Sequence, residues 1–201
     1  MDPGARRARS AQAVYDTVKA QFLKRFGLAV LAPSPGSNSQ GLCVTRAVSQ
    51  KYHITTLSQC AAAAHQLRLA AVPEFVTRAD ALPGLQKFYG GFKFSSVRTF
   101  AIGLQYEALA RSDADVATAF TTDAQIAAQN FVVLRDDRHF WPPYNIIPIL
   151  RMDAQKDRQT QLIAALNKVN ARLTDDALRN LNVQVDIKKR DPADVAAEFV
   201  H

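Results

Sequence analysis

The chain has 201 residues, 48% of them apolar and 21% charged, with 25 basic against 18 acidic side chains and a formal net charge of +7. That composition describes a globular chain long enough for one large domain or two small lobes. No stretch approaches the run of about 20 apolar residues that a membrane-spanning helix needs.

The start is basic, with Arg6, Arg7 and Arg9, but a polar amphipathic stretch follows where an export core would stand, so no signal peptide is expected. No aromatics are interleaved with those arginines, which disfavours a nucleic-acid-binding reading. Val14, Val18, Phe22 and Phe26 recur every fourth residue and predict an amphipathic helix over 11–26, stopped by Gly27. Leu28 to Ala32 reads as a short buried strand, and Pro33 to Ser39 is too rich in Pro, Gly, Ser and Asn to be regular. Leu42 to Thr45 is a second strand. Thr56 or Ser58 caps a helix through Ala61 to Ala64, and Leu69 to Val72 is again strand-like, giving a β-α-β rhythm.

A short helix over 82–89, an extended stretch from Phe92 to Thr99 and a helical stripe at Leu104, Ala108 and Leu109 follow. Val116 to Phe120 is a strand, and the turn Thr121-Thr122-Asp123 suits the capping of a helix over 124–129. Phe131 to Leu134 is an apolar strand, 135–138 a solvated turn, and Phe140-Trp141-Pro142-Pro143-Tyr144-Asn145 a stiff aromatic loop ahead of an extended 146–150. Leu162, Leu166, Val169 and Leu173 mark a helix, Thr174 starts another, and Asp191-Pro192 supplies an N-cap and first-turn proline for a third that runs to Phe199.

Little in the chain points to catalysis. There is no Gly-x-Ser-x-Gly, no phosphate-cradling Gly-rich loop, no Cys-x-x-Cys and no His-Glu-x-x-His. Cys43 and Cys60 read as two separate buried thiols, and no metal or cofactor is expected. The acidic pairs Asp113/Asp115, Asp136/Asp137 and Asp175/Asp176 stand in turns or at helix starts, where capping explains them. Binding fits better, because four distinctive loops follow apolar strands, at 33–40, 73–80, 120–123 and 140–145. Arg78 can fork onto a carboxylate, Phe120, Trp141 and Tyr144 offer π faces, and Asn38, Gln40 and Thr121 supply hydrogen bonds. One arginine with aromatic faces suits a zwitterion, whose quaternary ammonium is held by cation–π contact.

The same loops carry a resemblance. Pro73-Glu74-Phe75-Val76-Thr77-Arg78 through Leu82-Pro83-Gly84-Leu85, Gly103-Leu104-Gln105-Tyr106, Ala119-Phe120-Thr121-Thr122-Asp123, Val132-Val133-Leu134-Arg135-Asp136-Asp137, Phe140 through Tyr144, and Asp191-Pro192 to Phe199 resemble the motifs of the glycine betaine, choline and carnitine (osmoprotectant) substrate-binding proteins of ABC importers. The resemblance implies an α/β, type II periplasmic-binding-protein fold in two lobes: 1–34 a remnant of the first lobe, 35–123 the second, and 124–201 the C-terminal part of the first. It implies a chain truncated at its N-terminus, with the first lobe incomplete.

It further implies that the protein is no enzyme. It would bind a small zwitterion in the interlobe cleft, through Arg78 on the carboxylate, Tyr144 and Phe120 as aromatic walls, and Asn38, Ser39, Gln40, Thr121 and Asp123 around them. Gln40 stands where the family has a cage tyrosine, and Phe120 replaces another, which opens the site to an amino-acid or ergothioneine type of ligand as the alternative, or to a ligand-sensing domain of the same fold. ABC permease subunits are the implied partners, and the periplasm or cell surface the implied location. Apolar faces such as Phe131 to Leu134, deprived of first-lobe partners, predict a homodimer or a domain-swapped assembly.

Overall fold

A computed structural model describes residues 11–152 and 158–201; the basic cluster at Arg6, Arg7 and Arg9 lies outside them. The larger body is built on a five-stranded sheet. Strand β2 (Gln40–Val44) runs antiparallel to β5 (Val116–Phe120) on one side and to β6 (Val132–Val133) on the other, while β3 (Arg68–Ala71) runs parallel to both β4 (Ser96–Thr99) and β5. The order is β4-β3-β5-β2-β6.

The inner strands are apolar at successive residues because both sheet faces are covered, as in parallel α/β sheets. Leu42, Val44, Leu69, Ala71 and Val116 point to one core with Leu57, Leu85, Phe92 and Trp141. Cys43, Ala70, Ala117 and Ala119 point to the other, where their small side chains leave room for Tyr106, Leu109 and Phe131. Both thiols are free and buried, as expected, and burial pushes Cys60 up to about 12.

Helices α2 (Arg46–Tyr52), α3 (Leu57–Ala63), α4 (Pro73–Thr77), α5 (Leu82–Tyr89), α6 (Leu104–Ala110) and α7 (Ala124–Ala128) complete this body. Thr56 caps α3 in a reciprocal box: its hydroxyl accepts from the Gln59 N–H, and the Gln59 side chain accepts from the Thr56 N–H. Gly90 ends α5 at φ +73°, a left-handed value that only glycine adopts without cost. Two elements differ from the sequence expectation. Helix α2 is capped by Thr45, which the pattern assigns to the end of a strand, and α4 is a single turn inside the expected 73–80 loop.

The smaller body carries a two-stranded antiparallel sheet, β1 (Leu28–Val30) with β7 (Ile149–Arg151). Around it lie α1 (Ala11–Phe26), α8 (Gln159–Asn170), α9 (Asp175–Asn182) with a π turn at Val183–Ile187, and α10 (Pro192–Val200). Val14, Leu23 and Phe26 on α1 are exposed. The expected bare face at 131–134 is corrected. Val133 and Val132 pair with Cys43 and Val44 at the edge of the larger sheet, Phe131 stacks on Tyr106 with centroids 6.2 Å apart, and Leu134 is buried. The larger sheet therefore extends beyond residue 123.

Candidate ligand cleft

Two chain segments join the bodies, Ser34–Ser39 outward and Tyr144–Ile146 on the return. Short polar side chains and glycine make their close approach feasible. The Asn145 amide donates to the carbonyls of Ser34 and Gly36 at 2.9 and 3.1 Å, and the Ser34 hydroxyl donates to Gly36 at 2.7 Å while accepting from the Ile146 N–H. At Gly36 an added Cβ would stand 2.7 Å from the Leu173 carbonyl oxygen, so no side chain fits there.

Most of the expected site residues lie together at this junction. Gln40 and Phe120 face each other as register partners at the ends of β2 and β5. Ser39 and Thr121 exchange bonds: the Ser39 N–H donates to Thr121 Oγ1 and the Thr121 N–H to the Ser39 carbonyl. The Thr121 hydroxyl donates onward to the Ser37 carbonyl at 2.6 Å, and the Thr122 hydroxyl to Asn38 Oδ1 at 2.8 Å. Tyr144 is tied in by main-chain bonds, its N–H to Ser37 Oγ and its carbonyl to the Asn38 N–H. Tyr144 is 46% exposed and Phe120 49%, so both side chains reach solvent.

Asp123 behaves differently from the capping expectation. Its side chain makes no capping bond to α7; it accepts instead from the Tyr106 hydroxyl, in a very short contact, and from the Phe120 N–H at 3.1 Å. Its carboxylate thus serves to fix the β5 turn. Burial, with the Asp123 charge beside it, pushes the Tyr106 phenol far above its ordinary range and keeps it a neutral donor.

Arg78 closes α4 from a separate loop. Its guanidinium is exposed and gripped by Asp80, Nε to Oδ1 at 2.8 Å and Nη2 to Oδ2 at 2.6 Å. That hydrogen-bonded pairing raises the Arg78 pKa and lowers that of Asp80. Sequence reasoning missed Asp80, although its position two residues after Arg78 in the same loop is a signal. It also missed Arg179 and Asn182, which reach from α9 to the Thr121 and Thr122 carbonyls at 2.7 and 2.8 Å; no local pattern announces those bonds. A groove of about 370 Å³ lies apart from the cleft, lined by Leu181, Val195 and Phe199 with Arg190 and Glu198, and contains none of the expected residues.

Chemically, the junction offers two aromatic side chains and an amide, and the neighbouring 73–80 loop an exposed cationic fork. Among the described residues no cluster of His, Cys, Asp or Glu suits a metal ion, and no helix is long and apolar enough to cross a membrane.

Residues 8–201 match the family described as the substrate binding domain of ABC-type glycine betaine transport systems. The chain is 31% identical over 186 residues to the ergothioneine transport permease/ergothioneine binding protein of Helicobacter pylori (strain G27), covering 92% of this chain and 33% of that protein. It is 28% identical to the carnitine transport binding protein OpuCC of Listeria monocytogenes serotype 1/2a (strain 10403S), over 91% of this chain and 59% of that one. The chain thus spans a third of the first relative and less than two thirds of the second. Among solved structures, one described as a glycine betaine/carnitine/choline ABC transporter superposes with a TM-score of 0.85 at 33% identity, over 96% of this chain and 70% of that one. The superposition carries the α/β, type II binding-protein fold.

Proposed function

The chain belongs to the family of substrate-binding domains of ABC-type glycine betaine transport systems, and on that footing we propose that it binds a small zwitterionic or quaternary-ammonium osmolyte, of the glycine betaine, choline or carnitine type, for delivery to permease subunits. In this reading the five-stranded body is one lobe, and β1, β7, α1 and α8 to α10 belong to the other. Solute capture would take place in the periplasm or at the cell surface, and the work done is binding, without chemical conversion.

What supports the proposal is the set of groups these loops supply: an exposed guanidinium at Arg78 and, where two chain crossings join the bodies, the half-exposed aromatic side chains of Tyr144 and Phe120. A carboxylate takes guanidinium hydrogen bonds, while a trimethylammonium group has no N–H to donate and is held by π faces. Asn38, Ser39 and Thr121 shape the wall between them, and Asp123 acts on the ligand only through the turn it fixes. A second reading, an ergothioneine or amino-acid type of ligand, is favoured by Gln40, the strand partner of Phe120, whose amide offers hydrogen bonds where a further π face would serve a betaine.

Thermal melting against glycine betaine, choline, carnitine and ergothioneine tests both. A ligand present at about 100 times its Kd adds about 2.7 kcal/mol to the folded state. For a domain of this size that is a rise of roughly 5–10 °C. Arg78→Ala should abolish the rise for carboxylate-bearing ligands. A full rise in that variant would refute the assignment of the carboxylate to Arg78.

A further inference from the structure

Trp141, the third aromatic of the loop, is buried in the main core. Its ring packs edge-on against Phe140 with centroids 5.3 Å apart, and its indole N–H donates to the Asp80 carbonyl at 2.8 Å. Its own segment is pinned: the Trp141 main-chain N–H donates to Asp136 Oδ2 at 2.9 Å, and the Tyr89 hydroxyl donates to Asp136 Oδ1 at 2.6 Å. Asp80, so held at its main chain, grips Arg78 along the Nε/Nη2 edge. A guanidinium has five N–H groups. Asp80 engages two, and Nη1 has no partner among the described residues.

We propose that Trp141, acting through Asp80, is the positioning residue of the carboxylate-binding arginine. This rests on the reading of Arg78 given above. The indole fixes the loop, the Asp80 carboxylate fixes one edge of the guanidinium, and the Nη1/Nη2 end stays presented as a free fork. An exposed arginine otherwise samples many rotamers, and ordering it on binding subtracts from affinity; holding it beforehand removes that cost.

The test compares the wild type with Trp141→Phe, which keeps an aromatic ring but loses the pyrrole portion with its N–H, with Asp80→Asn, and with the double variant. Glycine betaine has a carboxylate and choline has none. By calorimetry, each single variant should weaken glycine betaine by about three- to tenfold, the worth of one hydrogen bond, and leave choline within about twofold. The double variant should be no weaker than Asp80→Asn, since the two residues act in series. Equal weakening of both ligands would give Trp141 a packing role and overturn the proposal, as would an unchanged glycine betaine affinity.

A ligand-free readout separates the two claims. The ¹⁵Nε–¹H resonance of Arg78 should shift and broaden in Trp141→Phe. If the wild type binds neither ligand, the binding reading fails. An Arg78 resonance identical in the wild type and Trp141→Phe then overturns the positioning role on its own.

Discussion

Replacing Gly84 with alanine sets two effects against each other. The site is the first turn of α5, where alanine gains up to about 1 kcal/mol over glycine from chain entropy. A Cβ there would stand 2.2 Å from the Ala79 carbonyl oxygen and 2.7 Å from Cζ of Phe140, inside the 3.0 Å that real Cβ contacts respect. Neither neighbour can retreat freely. The Ala79 carbonyl belongs to the loop that Trp141 anchors one residue later, and Phe140 is buried in the main core. Overpacking of this kind costs about 1–3 kcal/mol, so the steric term wins and the net loss is about 1–2 kcal/mol. By calorimetry or circular dichroism the Tm should fall by roughly 2–8 °C. Glycine betaine binding should weaken with it, because the displaced loop carries Arg78. Gly90→Asn is the control, with φ +73° and nothing within 4 Å of an added Cβ; asparagine tolerates that region, and the variant should stay within about 0.5 kcal/mol of wild type. A Gly84→Ala Tm at or above wild type would refute the close-packing argument.

Acid should destabilise the fold through Asp115, whose pKa is lowered chiefly by the hydrogen bonds from the Arg68 side chain. Its folded value lies below the unfolded one of about 3.9, so its contribution is complete above the unfolded value and is lost as the pH falls through the folded one. Urea unfolding at a series of pH values should show a shallower acid slope in Asp115→Asn, and an unchanged slope would contradict the assignment. Self-association should persist on the strength of the exposed Val14, Leu23 and Phe26 of α1, with size-exclusion chromatography and light scattering reporting a dimer that Leu23→Glu weakens. A monodisperse wild-type monomer across the micromolar range would remove that expectation.

The parts of the molecule written in short segments were legible in the sequence. Helix α1, the capping box at Thr56, strand β5 and the Phe140–Tyr144 loop each depend on residues within a few positions of one another, and periodicity or turn chemistry exposes them. Helix α2 escaped because its apolar stripe is a single pair, Val48 and Tyr52, too short to set a period, which left Thr45 as the other local signal. The 131–134 segment was recognised as a strand, but its partner was not, since the choice of Leu42 to Val44 as neighbour is made by burial across the whole sheet. In the cleft, Arg78, Tyr144 and Phe120 stood out by residue type. Arg179 and Asn182 did not, because a side chain reaching a main-chain carbonyl some sixty positions away leaves no trace in spacing.

The pairing of β1 with β7 bears on how the chain is made. Leu28 finds its partner in Arg151, and Gln40, in the next strand, finds its own in Phe120. Both early strands wait on residues synthesised much later, and closing such long loops is slow. On the ribosome, helix α1 can form as soon as it emerges, but neither sheet can begin around the strands that follow it. A nascent chain released before β5 would hold apolar strand segments with nothing to pair against, the condition that draws chaperones and proteases. The smaller sheet is completed only when β7 follows, about 120 residues after β1.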